Sequence, residues 1–265
     1  MSLYRSNQSR HGMRFVRTAG VFAFAVAATA SAPCAQSTAP AADRGVMSAL
    51  TTSAAAEMQS PADVKVTFDW NPRGVIGFTF PHVAAPIKDD LAAKGTWTIV
   101  DGEADPNGLP TSALSDGFLP NDEDQPGMNF FFNAGTPGGT LRLDLGAAHA
   151  IAAVRSYSWH ANTRGPQVYT LFASEGSAAA FNASPKGVDP ATAGWTRIAD
   201  VDTRPKSGDG GGQYGVSITR SGAALGTFRY LLFVCLTTEN DDDWGNTFFS
   251  EIDVIGTGSP SASRR

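Results

Sequence analysis

The stretch Tyr157-Ser158-Trp159-His160-Ala161-Asn162-Thr163-Arg164-Gly165-Pro166-Gln167 gathers aromatic rings, an imidazole, amides and a guanidinium. That mix suits a sugar. A flat ring covers the apolar face of a pyranose, while His, Asn and Arg hydrogen-bond its hydroxyls. Trp159, His160, Asn162 and Arg164 are therefore the candidate ligand contacts. Trp244 and Asn246, from a second polar stretch, are candidates to face them. The plainer reading makes Tyr157 and Trp159 packing residues and gives Arg164 an acidic partner that fixes the loop.

The second stretch is Thr238-Glu239-Asn240-Asp241-Asp242-Asp243-Trp244-Gly245-Asn246. Clustered carboxylates beside a glycine turn suit a hard cation such as Ca²⁺. Gly245 and Glu251 have the spacing of an EF-hand loop, with Asn240 and Asp242 at its first and third positions. Trp244 then falls where a ligand is needed, and Glu251 sits in a strand pattern, so the EF-hand is excluded. A solvated acidic loop is the plainer reading of the Asp triplet.

Other chemistries find little support. His82 and His149 have no partner at metal-ligand spacing. There is no G-x-S-x-G elbow and no phosphate-binding loop. Cys235 lies in the apolar run Phe228–Leu236, where a thiolate is costly. Glycoside hydrolysis needs two acids at a set separation, which is a three-dimensional property. Asp122-Glu123-Asp124 and Asp241–Asp243 are the dense acids that can supply them. The sequon Asn182-Ala183-Ser184 is followed by Pro185, which undercuts it.

The elements that must position these groups read as β-strands. In Thr140–Leu145, Leu141, Leu143 and Leu145 alternate with Arg142 and Asp144, the pattern of a half-buried strand. Phe228–Leu236 is apolar on both faces and predicts a central strand. In Thr247–Ile255, Phe248, Ile252 and Val254 face one way and Glu251 and Asp253 the other. Further short apolar runs are Val64–Trp70, Gly74–Phe80, Thr96–Val100, Asn129–Phe132, Ala150–Trp159, Gln167–Ser174, Gly194–Val201 and Gln213–Ile218. One short helix is expected over Ile87–Lys94. Many strands separated by Gly and Pro turns predict a sandwich or jelly roll.

Composition sets the limits. The chain has 265 residues, 42% of them hydrophobic, 28 Gly, 16 Pro, 2 Cys and a net charge of -5. That is enough apolar material for one large β-domain, too little cysteine for a disulfide scaffold, and the wrong charge for a broad grip on nucleic acid. Arg5, Arg10, Arg14 and Arg17 precede the apolar run Val21–Ala28 and a small-residue stretch ending at Ala35. This is the pattern of a secretory signal over 1–35, with Met13 an alternative start. The run is too short to span a bilayer. A lipid anchor on Cys34 is the rival, with Ser31-Ala32-Pro33 a poor lead-in. Cleavage after Ala35 removes four Arg and no acid, leaving 16 basic and 25 acidic residues, net -9, and one thiol. The expected organisation is a signal over 1–35, a disordered leader over 36–62, one domain over 63–256 and a loose tail over 257–265. The expected location is secreted, extracellular or periplasmic.

The order of short motifs resembles a known family. Ser115-Asp116-Gly117 precedes Leu141-Arg142-Leu143-Asp144-Leu145-Gly146. Ile151 and Val154 then lead to Gln167–Ser174, Trp195 comes before Phe228-Arg229-Tyr230, and Ser250-Glu251-Ile252-Asp253-Val254 closes the set. Over roughly 110–256 this resembles the discoidin domain, or coagulation factor V/VIII type C domain, of the galactose-binding-like superfamily. Ser174-Glu175-Gly176 departs from the family's usual strand end, and the frequent terminal disulfide is missing. The resemblance implies a galactose-binding-like jelly-roll β-sandwich that binds ligands at loops on one end. It also implies a structural Ca²⁺ between the Asp-Gly loop and the last strand, here Asp116 and Glu251 with oxygens from Gly117–Asp124. The function expected is a secreted, non-catalytic, lectin-like module for carbohydrate or cell-surface glycan. The alternatives are an adhesion or matrix domain with a protein partner and, third, a polysaccharide hydrolase or lyase.

Overall fold

The computed structural model describes residues 61–239 and 245–258. The signal, nearly all of the leader and most of the tail lie outside these, as does Asn240–Trp244. Eight strands run antiparallel: β1 Val64–Asn71, β2 Thr96–Asp101, β3 Gly139–His160, β4 Val168–Ser174, β5 Thr196–Asp202, β6 Gly212–Arg220, β7 Gly226–Cys235 and β8 Phe249–Gly256. They form an all-β sandwich whose two layers share one strand. The first half of β3 lies between β2 and β7, with β4 and β5 beyond. Its second half lies between β6 and β8, with β1 at the edge.

β3 reads in sequence as two strands and is one. Its register against β7 breaks between Asp144 and His149, and Gly146 takes a φ of 78° there. A residue with no Cβ turns the corner from one layer to the other without ending the strand. Leu141, Leu143 and Leu145 point inward as their alternation predicts, and meet Val154, Leu171, Val216, Leu231, Phe233 and Val254 in the core. β7 is central, paired on both sides as expected. Cys235 at its end is a buried free thiol.

Three expectations need correction. The helix over Ile87–Lys94 is only a single 3-10 turn at Ala92–Lys94. The preceding backbone serves β8 instead: Ile87 N–H donates to Asp253 and Leu91 N–H to the Val254 carbonyl. Gly74–Phe80 is a loop, because Gly74 and Gly77 take φ of 57° and 70° and interrupt any ladder. Asn129–Phe132 makes only isolated bridges, Phe130 to Phe249 and Phe132 to Ala104.

One buried layer lies outside the core. Glu251 and Asp253 face away from it, as their alternation predicts, yet both are fully buried. The segment 81–93 covers them. Tyr157 Oη donates to the Ala84 carbonyl, and Asp90 accepts the N–H groups of Val254 and Ala93. Gly117 N–H donates to Glu251 Oε2 at 2.9 Å.

Candidate functional site

At one end of the sandwich β3 stops at His160, and the connection to β4 turns tightly, with Gly165 N–H bonding the Asn162 carbonyl. Phe248 N–H then donates to the Arg164 carbonyl at 3.0 Å, which ties this loop to the approach of β8. Between them opens a polar cleft of about 470 Å³, lined among others by Asp105, Asp124, His160, Asn162, Arg164 and Glu239. Its floor is Phe248, stacked on Phe131 at 3.8 Å between ring centroids. His160 meets the Phe248 ring edge-on at 4.4 Å, and the Arg164 guanidinium lies 5.4 Å from its centre. Phe248 is only 2% exposed, so it is a rigid floor rather than an open stacking platform.

His160 is the best-defined group in the cleft. Its Nδ1 accepts the Asn162 N–H at 3.1 Å. In the neutral ring the proton therefore sits on Nε2, which becomes a donor. Nε2 stands 3.9 Å from Asp124 Oδ1, beyond direct hydrogen-bond reach. Burial is the main influence on the ring and lowers its pKa against the opposing pull of Asp124. The imidazole thus stays neutral near pH 7. Asp105 accepts from the backbone and side-chain amides of Asn107, and Glu239 accepts from Thr163 Oγ1. Donors and acceptors thus line one opening, the mix that hydroxyls require.

The other sequence candidates fall elsewhere. Trp159 precedes His160 in an extended strand, so the two side chains point to opposite faces. Trp159 is buried and lines a different, apolar cavity on the far side of β3. Asn246 is buried, bridges to Thr237 and donates to the Asn133 carbonyl, closing the base of the acidic excursion. Trp244 and Asp241–Asp243 lie outside the described residues. Asp105, Asn107, Asp124 and Phe248 complete the cleft, although the sequence reading did not assign them to a sugar site.

Glu251 carries the second feature. Its Oε2 accepts from Gly117, while its buried Oε1 has no partner. Burial first, and then the neighbouring Asp253, Asp116 and Asp90, push its pKa up to about 9. Asp253 is raised to about 7 by burial and Asp90. Asp116 Oδ1 accepts from Phe118 N–H. Among the described residues no group of three or more His, Cys, Asp or Glu is arranged to hold a metal. An ion there would draw the rest of its shell from backbone carbonyls.

No protein-family description matches the sequence, and no curated protein matches it. Solved structures do. In structure, the chain is similar to carbohydrate-binding modules. One is chitosan-binding module 1 of a chitosanase/glucanase from Paenibacillus sp. IK-5, 19% identical with a TM-score of 0.41, over 63% of this chain and 98% of that one. Another is the family 32 carbohydrate-binding module of C. perfringens NanJ in complex with galactose, 13% identical with a TM-score of 0.37, over 62% and 96%. A third is the lectin domain of lectinolysin complexed with Lewis B antigen, 14% identical with a TM-score of 0.38, over 63% and 96%.

Proposed function

We propose that the domain is a secreted, non-catalytic carbohydrate-binding module and that its glycan lies in the cleft of His160, Asn162 and Arg164. The observation that carries this reading is the His160 Nε2–H donor, fixed by the Asn162 amide and facing Asp124 across an open cleft. A hydroxyl accepts from one and donates to the other. Arg164 and Asn107 add donors, and Asp105 and Glu239 add acceptors, to neighbouring hydroxyls.

Asp116 and Glu251 would hold a hard cation, because a buried Glu251 carboxylate oxygen has no partner and neighbouring acids oppose the ionisation of that group. Ca²⁺ would neutralise that cluster and fix the start of the Gly117–Asp124 segment, which carries Asp124 to the cleft. Its role is structural.

A glycan array probed with the full chain, with and without Ca²⁺, tests the reading. Binding that His160→Phe weakens about tenfold supports it. Failure on every neutral and acidic glycan under both conditions overturns it.

A further inference from the structure

Beside the polar cleft lies a second opening of about 230 Å³, lined chiefly by Thr163, Pro166, Arg204, Pro205, Asp209 and Glu239. The two openings share Thr163 and Glu239. These two meet, with Thr163 Oγ1 donating to the Glu239 carboxylate, so one hydrogen bond stands between the openings. The far wall is the connection from β5 to β6, residues 203–211. It touches the loop after His160 backbone to backbone: a Cβ on Gly211 would stand 2.0 Å from the Ala161 carbonyl oxygen. Gly210 takes a φ of 72°, and a Cβ there would meet the Pro166 and Pro205 rings at 2.8 Å each. Tyr214 Oη donates to the Gly210 carbonyl from beneath. The wall is therefore fixed to the same end of the sandwich as the cleft.

Its groups repeat the chemistry of the cleft. Asp209 is exposed, and its Oδ1 accepts the Gly211 N–H at 3.0 Å, which sets the carboxylate at the lip. Arg204 Nε and Nη2 donate to Asp202, which holds the guanidinium in place beside the opening. A guanidinium, two carboxylates, a hydroxyl and two apolar rings thus stand together, again the mix that suits a sugar. Size decides how the opening is used. Its 230 Å³ lies below the roughly 300–1,000 Å³ of an independent small-molecule site, whereas the 470 Å³ of the cleft lies within that range. The second opening is therefore an annex of the first.

We propose that this annex is a second sugar subsite, and that the ligand is a chain of at least two sugar units laid across the Thr163–Glu239 bond. The proposal rests on the reading of the cleft as a glycan site. One unit meets His160 and Asp124 in the cleft, and the next meets Arg204 and Asp209. Glu239, on the boundary, accepts from hydroxyls of both.

Calorimetric titration of the full chain tests it. The probes are glucose, galactose, mannose, xylose and N-acetylglucosamine, each as the single sugar and as α- and β-linked linear oligomers of two to four units. At least one series should tighten about tenfold between the single sugar and its oligomers, the worth of one added hydrogen bond. Two variants outside the cleft locate the gain. Asp209→Asn removes a charge from an exposed side chain. Gly208→Asn adds bulk to the lining at a φ of 84°, where a Cβ meets nothing within 4 Å and Asn tolerates the backbone. Both should keep the melting temperature and the affinity for the single sugar, and lose the gain with length. His160→Phe should weaken single sugar and oligomer alike. Equal affinity along every series, or a gain with length that survives both variants, overturns the proposal and leaves the glycan reading of the cleft standing. Failure of every sugar at every length overturns both.

Discussion

His160 Nε2 faces Asp124 Oδ1 at 3.9 Å, a gap that one hydroxyl oxygen spans while accepting from the first and donating to the second. His160→Phe keeps the ring that packs on Phe248 and removes the donor. It should fold normally and bind the best array glycan about tenfold more weakly, the worth of one hydrogen bond. Asp124→Asn should cost a similar factor. Calorimetric titration reads both, and unchanged affinity in the pair would remove this contact from the site.

The same ring sets a pH dependence. Burial holds its pKa below the ordinary imidazole range. Protonation would place a hydrogen on Nδ1, opposite the Asn162 N–H it now accepts. Affinity for the glycan should therefore stay level from pH 8 through the usual imidazole range near 6.5 and decline only below it. A fall centred at or above that range would contradict the burial that lowers the pKa of the ring.

Glu251 makes a prediction of opposite sense to ordinary acid denaturation. Its folded pKa, about 9, lies above the usual carboxylate value of 4.5. The folded state then holds a proton that the unfolded state has released. Without divalent cation, stability should be greatest below the unfolded value and fall as pH rises towards 9. Ca²⁺ should reverse the loss by favouring the ionised form. Melting curves from pH 5 to 9, with EDTA or Ca²⁺, check this. Glu251→Gln should remove the part of the loss that extends above pH 7, leave the part that the raised Asp253 contributes, and abolish any Ca²⁺ effect.

Gly74 takes a φ of 57° and lies against the Trp159 indole. Gly74→Ala should destabilise the fold by about 2–4 kcal/mol, through left-handed backbone strain and a collision with a ring that cannot withdraw. Chemical denaturation measures it. A loss under about 0.5 kcal/mol would mean that the Arg73–Phe80 loop yields freely.

Strand identity was readable wherever one face meets the core, as at Leu141, Leu143 and Leu145. Tertiary hydrogen bonding decided the rest. Gly146 looks like a break in sequence, yet the strand continues through it while its pairing with β7 is interrupted. The Gly74–Phe80 run has a strand's composition but two glycines with positive φ. Alternation put Glu251 and Asp253 on the face away from the core, but periodicity cannot see the 81–93 segment that covers them. In the site, three of the residues proposed from the Trp159–Arg164 stretch converge on the cleft: His160, Asn162 and Arg164. Asp105, Asn107 and Phe248 come from distant segments, which no local spacing brings together. The separation of Trp159 from His160 was open to view, since adjacent residues in a strand never share a face.

That separation has an evolutionary consequence. Two neighbouring codons at the end of β3 address two cavities of unlike chemistry. A point mutation at one leaves the other's lining intact, so each can drift independently. A one-residue insertion or deletion just before them would exchange their faces at a stroke, putting an indole where the imidazole stood.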